Sequence, residues 1–458
     1  MVDYIKYMLK DRYIKFATYS LCATSIFILI YNILHYDPIE GYDAEAHYSY
    51  LHYIAMYLPY KISIPSIEFT REFFNPPIPY LFPAGIQVVC RNVIVSENYI
   101  NDCQQILGTA TQAFQSILYI VTIYFYLLSF KILKKNKNLL NINLILIISL
   151  LAVNYRTISM IRGEIYILFF NSILMYKLLK ISNNKFIFKP IDVLIAGTLI
   201  GCMALSRQWA FLLFLSYIFI VFFLENEYKN RYLKFISYSF LLGFFISSWF
   251  YFNLFFEYGS FTSFNKDPLP FNFNNQNLDF YIPFNSEFLM MFYKPIRPYF
   301  SNQFFPILYS DLWGDYWGHF VFTSRDLLAG RNQMLIGSYL ARVNIVSLIP
   351  TALILYSLFK SKNLKGNKFF HKFLKYGILF SFFGYLWFLI KYPEMPTGDT
   401  IKATYIIQMF HLIGFVTASY LEDLKNQNRN FYLFIVLGLI FVYMHNFSSY
   451  MSHFPIKF

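Results

Sequence analysis

Carboxylate and basic side chains are concentrated in residues 41–80, which read GYDAEAHYSYLHYIAMYLPYKISIPSIEFTREFFNPPIPY. Asp43 and Glu45 follow the first strongly apolar segment directly, and His47 lies four residues after Asp43, on the same face of a helix. A carboxylate at such a place can accept a proton from a hydroxyl group. An ordinary solvated loop beside a membrane would have a similar composition, so the residues alone leave both interpretations open.

The second half of this loop ends in EFFNPPIPY, which begins at Glu72. A proline fixes its own backbone φ and pushes the preceding residue towards an extended conformation. Pro76 and Pro77 therefore predict a rigid turn that fixes the positions of Glu72 and Asn75. The alternative is an ordinary turn at which the chain re-enters the membrane.

The elements around this loop are predicted from composition. The chain has 458 residues, of which 57% are hydrophobic and 14% are charged, whereas soluble domains have about 25% charged residues. About eleven segments are apolar and long enough to span a bilayer. They lie near 15–35, 108–131, 139–155, 162–180, 190–206, 208–224, 233–255, 334–359, 373–391, 402–420 and 431–447. We therefore expect an all-α polytopic membrane bundle that forms one domain over residues 1–458.

The net charge of +13 is distributed as in a membrane protein and not as in a nucleic-acid-binding protein. Most basic residues lie in short segments between alternate apolar runs, which predicts that the amino terminus and residues 131–137 are cytoplasmic. The long polar loops 36–77 and 256–333 would then lie outside. An even number of crossings must separate the amino terminus from 131–137, so we interpret 78–95 as embedded without crossing.

The remaining motifs restrict the chemistry. Walker A, HExxH, GxSxG and GxGxxG patterns are absent, so ATP hydrolysis and the usual soluble catalytic motifs have no support. Cys22, Cys90, Cys103 and Cys202 show no CxxC spacing, which favours isolated residues. Cys90 and Cys103 could pair if both face an oxidising compartment.

Several segments, taken in order, resemble the GT-C glycosyltransferases, a group that includes protein O-mannosyltransferases and aminoarabinose transferases. The first outer loop of that group is similar to YDAEAHYSYLHYIAMY followed by REFFNPPIPYLFPA, although Asn75 stands where a His is usual. A helix of the group resembles AGTLIGCMALSRQWAF, which places Arg207 at its basic position. Another helix end resembles YFNLFFEYGSFTSFN, with Phe252 in place of an Arg. In GDTIKATYIIQMFH, Lys402 and Tyr405 match a basic residue and Tyr pair.

The resemblance implies an inverting transfer of a sugar from a polyprenyl-phosphate-linked donor to a lipid, glycan or protein acceptor. Asp43 would be the catalytic base, with Glu45 beside it, and cations would stabilise the departing phosphate. The candidate cations are Arg71, Arg162, Arg207, Arg325, Arg331 and Lys402. The candidate substrate-binding residues are His47, Glu72, Asn75, Arg162, Glu164, Arg207, Lys402 and Tyr405.

A divalent cation is a further candidate partner, because some members of the group use a metal and others do not. Asp311, Asp315, His319 and Asp326 could bind one, although their spacing matches no ligand pattern. Nearby Trp313, Tyr316 and Trp317 are typical of interface aromatics or of a sugar platform.

Two alternative functions remain. A transporter or flippase of a lipid-linked saccharide would show Gly- or Pro-broken helices in two corresponding halves, and this chain shows no such symmetry. A glycan polymerase or ligase would share most of the same signature. For the glycosyltransferase we expect a multi-pass protein of the bacterial inner membrane, or of the endoplasmic reticulum membrane if the source is a eukaryote. Its amino terminus would be cytoplasmic and its active site on the opposite face.

Overall fold

The computed structural model describes residues 2–93, 99–136, 138–283, 285–297, 300–321, 333–361, 367–395 and 397–453. The protein is 74% helical, and the described residues contain no β-strand. The first ten helices are α1 (Val2–His35), α2 (Ala44–Tyr57), α3 (Ile78–Val93), α4 (Tyr99–Lys134), α5 (Ile142–Ser149), α6 (Ala152–Ser159), α7 (Glu164–Asn183), α8 (Pro190–Ala204), α9 (Ala210–Phe219) and α10 (Asn226–Tyr258). The others are α11 (Leu278–Tyr281), α12 (Phe304–Trp313), α13 (Gln333–Val346), α14 (Leu348–Lys360), α15 (Lys368–Lys391), α16 (Ile407–Gln427) and α17 (Arg429–His445).

Seven of the described helical segments are long and apolar enough to cross a membrane, and the bent pair α5–α6 would be an eighth. The seven are Arg12–His35, Cys103–Lys134, Glu164–Asn183, Asn226–Tyr258, Gly337–Lys360, Lys368–Lys391 and Ala403–Gln427. Pro190–Ala204, Ala210–Phe223 and Arg429–His445 are apolar but shorter. A helix of 15 residues covers only about 22 Å of a hydrocarbon core about 30 Å thick. The polytopic all-α class is confirmed, and the number of about eleven spans stays a prediction.

The segment 139–155, predicted as a single span, is broken in the structure. Helices α5 and α6 meet at Leu150 and Leu151 with a bend of 66°. Both helices are entirely buried, and α6 continues past the predicted end to Ser159. The bend brings Arg156 into the interior, where its side chain contacts a distant helix. The apolar sequence around the break does not signal a bend, because the packing of neighbouring helices imposes it.

Helix α16 lies at the centre of the bundle. It packs against α5, α14, α15 and α17, and nearly all of its residues are buried. Close contacts also join α8 to α10, where Gly197 and Gly201 face Leu242 and Ile246. A methyl group on either glycine would overlap these side chains. Small residues at helix contacts are typical of membrane bundles, in which packing rather than water exclusion holds helices together.

Charged residues cluster at both ends of the central helix α16, and the two clusters contain different residues. Lys402 immediately precedes the apolar segment that contains α16, and its ammonium lies 3.6 Å from Asp43. At the other end of α16, Asp423 pairs with Lys134, and Glu422 accepts hydrogen bonds from Asn141 and Asn143. A helix of this length separates the two groups by about 30 Å.

Cys90 and Cys103 form a disulfide that joins α3 to α4, whereas Cys22 and Cys202 are free. The prediction of isolated cysteines is therefore wrong for this pair. Spacing alone could not show it, because the proximity of the two thiols depends on the packing of α3 against α4. Helix α3 occupies the segment predicted as embedded. With 16 residues it is shorter than the roughly 20 residues that a membrane-spanning helix needs.

Candidate active site

Asp43 lies at the amino-terminal cap of α2 in a left-handed backbone conformation, with φ of 56°. This region is rare for residues other than glycine, although aspartate tolerates it better than most, and such residues cluster at functional sites. The conformation directs the carboxylate into a polar cavity of about 400 Å³. There Asp43 Oδ1 lies 2.6 Å from Arg71 Nη2, and Oδ2 lies 3.6 Å from Lys402 Nζ.

The charges around Asp43 keep it ionised. Burial raises the pKa of its carboxyl group, but Lys402, Arg162, Arg71 and Arg207 together outweigh burial and hold the pKa below the ordinary value of 3.8. Asp43 is therefore a carboxylate at neutral pH and can accept a proton.

Aromatic residues hold both the side chain and the backbone of Lys402. Its ammonium lies 4.8 Å from the ring centre of Tyr42 and 5.5 Å from that of Tyr405, both within cation–π range. The Tyr385 hydroxyl accepts a hydrogen bond of 2.7 Å from the Lys402 amide. Tyr405 in turn stacks on Trp209 with ring centres 5.0 Å apart. The side chain is 11% exposed and lines the cavity, so Lys402 is both fixed and accessible to a ligand.

A buried ionic cluster lies next to the cavity. Arg207 Nε lies 3.1 Å from Glu164 Oε1, and its Nη1 lies 3.8 Å from Glu72 Oε2. Asn75 donates a hydrogen bond to the same Glu72 oxygen. Burial raises the pKa of Glu72, an effect that Arg207 opposes. Arg207 therefore already faces two carboxylates, whereas Lys402 pairs with Asp43 alone among the described residues.

The turn that carries Arg207 is attached to the segment that carries Glu72. Ile78 N donates to the Leu205 carbonyl at 3.0 Å, and Gln208 Nε2 donates to the Phe74 carbonyl at 2.9 Å. Gly163 allows α7 to approach the same turn, since a side chain there would overlap the Ser206 carbonyl oxygen. These contacts are the physical reason why residues far apart in sequence form one cluster.

His47 is a neutral hydrogen-bonding residue in this cluster. Its Nε2 lies 3.1 Å from Arg162 Nη1, and its Nδ1 lies 2.6 Å from the Tyr80 hydroxyl. Arginine can only donate, so Nε2 accepts and Nδ1 carries the proton. Burial, reinforced by Arg162, lowers the pKa of His47 well below its usual value of 6.5. His47 therefore helps to position Arg162 without adding charge.

The predicted residues come together with few exceptions. Arg207 and Lys402, both candidate cations, lie near the same residue, Tyr405, whose ring centre is 5.9 Å from the Arg207 guanidinium and 5.5 Å from the Lys402 ammonium. The cluster as a whole contains four cations and three carboxylates, which are Arg71, Arg162, Arg207, Lys402, Asp43, Glu72 and Glu164. It therefore carries one net positive charge.

Glu45 is the exception among the candidate catalytic residues. Its side chain is exposed and does not line the cavity, because it projects from a different face of α2. Arg325, Arg331 and Asp326 lie outside the described residues.

The carboxylates considered for a divalent cation are engaged elsewhere. Asp311 Oδ1 and Asp315 Oδ1 lie 2.8 and 3.5 Å from the buried guanidinium of Arg156. A cation among these ligands would meet the charge of Arg156, so the residues do not fit a metal site. No group of three or more His, Cys, Asp or Glu residues arranged for a metal occurs in the described parts of the chain.

Sequence reasoning missed two contributors to this region, Tyr42 and Arg156. Tyr42 supplies a ring to Lys402, and Arg156 holds the carboxyl end of α12, the helix that contains Asp311. Arg156 follows a predicted span by one residue, and the rule that charges within membranes are functional candidates could have identified it. Trp317 lines the cavity, whereas Trp313 and Tyr316 are buried outside it.

A second, mostly apolar cavity of about 230 Å³ adjoins the polar one. Trp209, Phe211, Leu212, Trp387 and Phe388 are among its lining residues. The two cavities have three lining residues in common, which are Phe74, Phe264 and Tyr405.

Comparison with solved structures identifies the fold. The apo oligosaccharyltransferase of Archaeoglobus fulgidus superimposes with a TM-score of 0.50 and 14% identity, over 96% of this chain and 57% of that one. The AglB oligosaccharyltransferase of the same organism, in complex with an inhibitory peptide and a dolichol-phosphate, gives 0.49 and 14% over the same shares. This chain thus spans just over half the length of these proteins. The comparison shows that this chain shares the fold of these oligosaccharyltransferases over nearly its whole length.

Sequence comparisons add no further relatives. No family model matches the chain, and no curated protein matches it in sequence. At 14% identity the likeness extends to the fold, so the reaction has to be argued from the residues of this chain.

Proposed function

We propose that the protein is an integral-membrane glycosyltransferase that moves a sugar from a polyprenyl-phosphate-linked donor to an acceptor hydroxyl or amide. The position of the Asp43 carboxylate, in a polar cavity between Arg71 and Lys402, is the observation that carries the proposal. The fold shared with an oligosaccharyltransferase supports the same class of reaction. The acceptor is a lipid, a glycan or a protein.

In the proposed reaction, Asp43 removes the proton from the acceptor group as that group attacks the anomeric carbon of the sugar. The bond between this carbon and the phosphate oxygen breaks, and its electron pair leaves with the polyprenyl phosphate. A single displacement inverts the configuration at the anomeric carbon. The leaving group gains negative charge in the transition state, which Lys402 is suited to stabilise.

Base and leaving group lie on opposite sides of the sugar in such a displacement. The donor must therefore enter between Asp43 and Lys402 and separate a pair whose charged atoms lie 3.6 Å apart without a ligand. Arg71 stays with Asp43 and keeps it ionised, while the phosphate replaces Asp43 as the partner of Lys402. In the absence of a ligand, the ion pair holds Asp43 and Lys402 near the positions in which they would contact the acceptor and the phosphate.

Arg207 has an indirect role in this proposal. It holds Glu72 and Glu164, and through them Asn75, while His47 and Arg162 support the backbone next to Asp43.

The adjoining apolar cavity supports a lipid-linked donor. Its lining is mostly aromatic and aliphatic, with Arg207 and Lys391 also part of it, and it shares Tyr405 and Phe74 with the polar cavity. An isoprenoid chain in the apolar space would place its phosphate at the boundary, near Lys402. A nucleotide-sugar would have no use for this surface. We expect the site on the non-cytoplasmic face, with the amino terminus in the cytoplasm.

The test uses the full chain in liposomes with a panel of polyprenyl-phosphate-linked hexoses and a membrane extract as acceptor. Release of polyprenyl phosphate is followed by thin-layer chromatography. Asp43→Asn should lower the rate by about 10²–10⁴-fold, the usual effect of losing a general base. His319→Gln is the matched control, because His319 also lines the cavity but has no ion pair with Lys402 among the described contacts. A normal rate for Asp43→Asn would overturn the assignment of the base.

A further inference from the structure

A carboxylate on α12 makes an unusual set of contacts with the site. Asp311 is fully buried and does not line either cavity in the described part of the chain. Its Oδ1 accepts a hydrogen bond of 3.2 Å from the Tyr42 hydroxyl. Its Oδ2 accepts one of 2.6 Å from the Ala403 amide.

These two partners are the chain neighbours of the proposed base and cation. Tyr42 immediately precedes Asp43, and Ala403 immediately follows Lys402. The first outer loop and the start of the central helix come from opposite ends of the sequence. One carboxylate therefore holds the chain neighbour of each functional residue, Tyr42 through its side-chain hydroxyl and Ala403 through its backbone amide. The Tyr42 ring also lies against the Lys402 ammonium. The hydrogen bond from the Tyr42 hydroxyl to Asp311 therefore orients the ring on which Lys402 rests.

Arg156 fixes Asp311 in turn. Its guanidinium donates to the Asp311 carbonyl at 2.6 Å and to the Gly314 carbonyl at 2.8 Å, at the carboxyl end of α12. A cation at that end satisfies carbonyl groups that the helix leaves unpaired. Arg156 belongs to α6 within the helical bundle, so the attachment point is part of the rigid interior.

We propose that Asp311 is a positioning residue for glycosyl transfer, which sets the separation between the Asp43 carboxylate and the Lys402 ammonium. The inference rests on the proposed function. Asp311 touches neither substrate nor reacting atoms, and it acts only through Tyr42 and Ala403. Loss of either hydrogen bond lets one side of the site shift relative to the other, and a shift of about 1 Å can cost about 10²-fold in rate.

Asp315 provides a matched control. Its Oδ1 lies 3.5 Å from Arg156, so replacing Asp315 removes the same charge from the same partner. Its Oδ2, however, accepts hydrogen bonds from Phe320 and Val321 and not from residues next to Asp43 or Lys402. A difference between the two substitutions therefore reports positioning and not the loss of a buried charge.

The first experiment compares Asp311→Asn with Asp315→Asn in the transfer assay, corrected for the folded fraction by size-exclusion chromatography. Asparagine keeps the volume of Asp311 but offers one oxygen, so its amide nitrogen must face either the Ala403 amide or the Arg156 guanidinium, and one of these donors loses its acceptor. We expect kcat to fall about 10–100-fold for Asp311→Asn, with a normal value for Asp315→Asn. Tyr42→Phe, which removes one contact, should give an intermediate loss. Equal losses in both carboxylate variants would overturn the inference.

The second experiment needs no activity. Acetic anhydride acetylates accessible lysines, and peptide mass spectrometry measures the extent of acetylation at Lys402, whose side chain is 11% exposed. Acetylation of Lys402 should rise in Asp311→Asn and stay unchanged in Asp315→Asn. Lys134, paired with Asp423 at the far end of the bundle, reports any global unfolding.

The two experiments separate the inference from the function on which it rests. Unchanged protection of Lys402 in Asp311→Asn would overturn the positioning role, whatever the activity of the protein. A selective rise at Lys402 in a protein that transfers no sugar would overturn the proposed function and leave the coupling of Asp311 to Lys402 in place.

Discussion

Replacement of Lys402 by methionine tests the proposed reaction most directly. Methionine keeps most of the length of the side chain and removes its charge. The ammonium lies 3.6 Å from Asp43 Oδ2, and at an effective dielectric constant of about 20 this corresponds to an attraction of about 4–5 kcal/mol. A phosphate at a similar distance would gain a comparable amount, less the cost of removing both groups from water. We therefore expect a loss of about 2.7–4 kcal/mol in the transition state, or about 10²–10³-fold in kcat.

The same substitution should change the pH dependence. Burial raises the pKa of Asp43 and Lys402 is the first of the cations that lower it, so removing Lys402 raises the pKa. The acid limb of the kcat/KM profile, which reports the free enzyme, should move to higher pH. Arg71, Arg162 and Arg207 still face Asp43, with Glu72 opposing them, so the base stays ionised at neutral pH.

The assay measures release of polyprenyl phosphate by Lys402→Met between pH 4 and pH 8 in liposomes. Lys266→Met is the control, because Lys266 lines the same cavity but pairs with Glu394 at its rim. If only the total positive charge of the cavity mattered, Lys402→Met and Lys266→Met would change kcat and the acid limb equally. Near-normal kcat in Lys402→Met, together with an unshifted acid limb, would refute both the phosphate-binding role and the tuning of the base.

Three further predictions concern stability and topology. Arg207→Ala leaves two buried carboxylates without their guanidinium, so the free energy of unfolding should fall by about 3–5 kcal/mol in thermal melts; unchanged stability with lost donor binding would instead indicate direct contact with the phosphate. Gly163→Ala should lower the free energy of unfolding by about 1–3 kcal/mol through overpacking against the turn between α8 and α9. Gly438→Ala is its control, since nothing lies within 4 Å of the added methyl group. Cysteines introduced at Lys135 and Asn275 should react with an impermeant maleimide from opposite sides of the membrane, and labelling from one side contradicts the topology.

The difference between Asp43 and Glu45 illustrates what required the structure. Both carboxylates follow the first apolar segment, and the sequence offers no reason to prefer one beyond the resemblance. The left-handed backbone at Asp43 and the start of α2 direct one carboxylate into the cavity and the other outward. Backbone direction at a helix start depends on how the following helix packs, and that packing involves residues remote in sequence.

The sequence by itself determined the class of protein and predicted the place of its chemistry. Apolar segments separated by basic turns require a polytopic bundle, and the acidic first loop with its double proline is where we predict proton transfer. Composition is enough to predict the membrane helices, because whether an apolar segment enters the membrane depends mainly on its own residues. Arg207 and Lys402 were nominated by the resemblance of their segments to a known family and not by composition.

Only the tertiary structure decided which cation serves which carboxylate. Arg207 is already committed to Glu72 and Glu164, Lys402 lies against Asp43, and Arg156 holds Asp311. The bend between α5 and α6 and the Cys90–Cys103 disulfide were equally hidden. Each depends on contacts between segments far apart along the chain. Ion pairing falls off within a few ångströms, so the spacing of residues in sequence cannot specify it until the helices have packed.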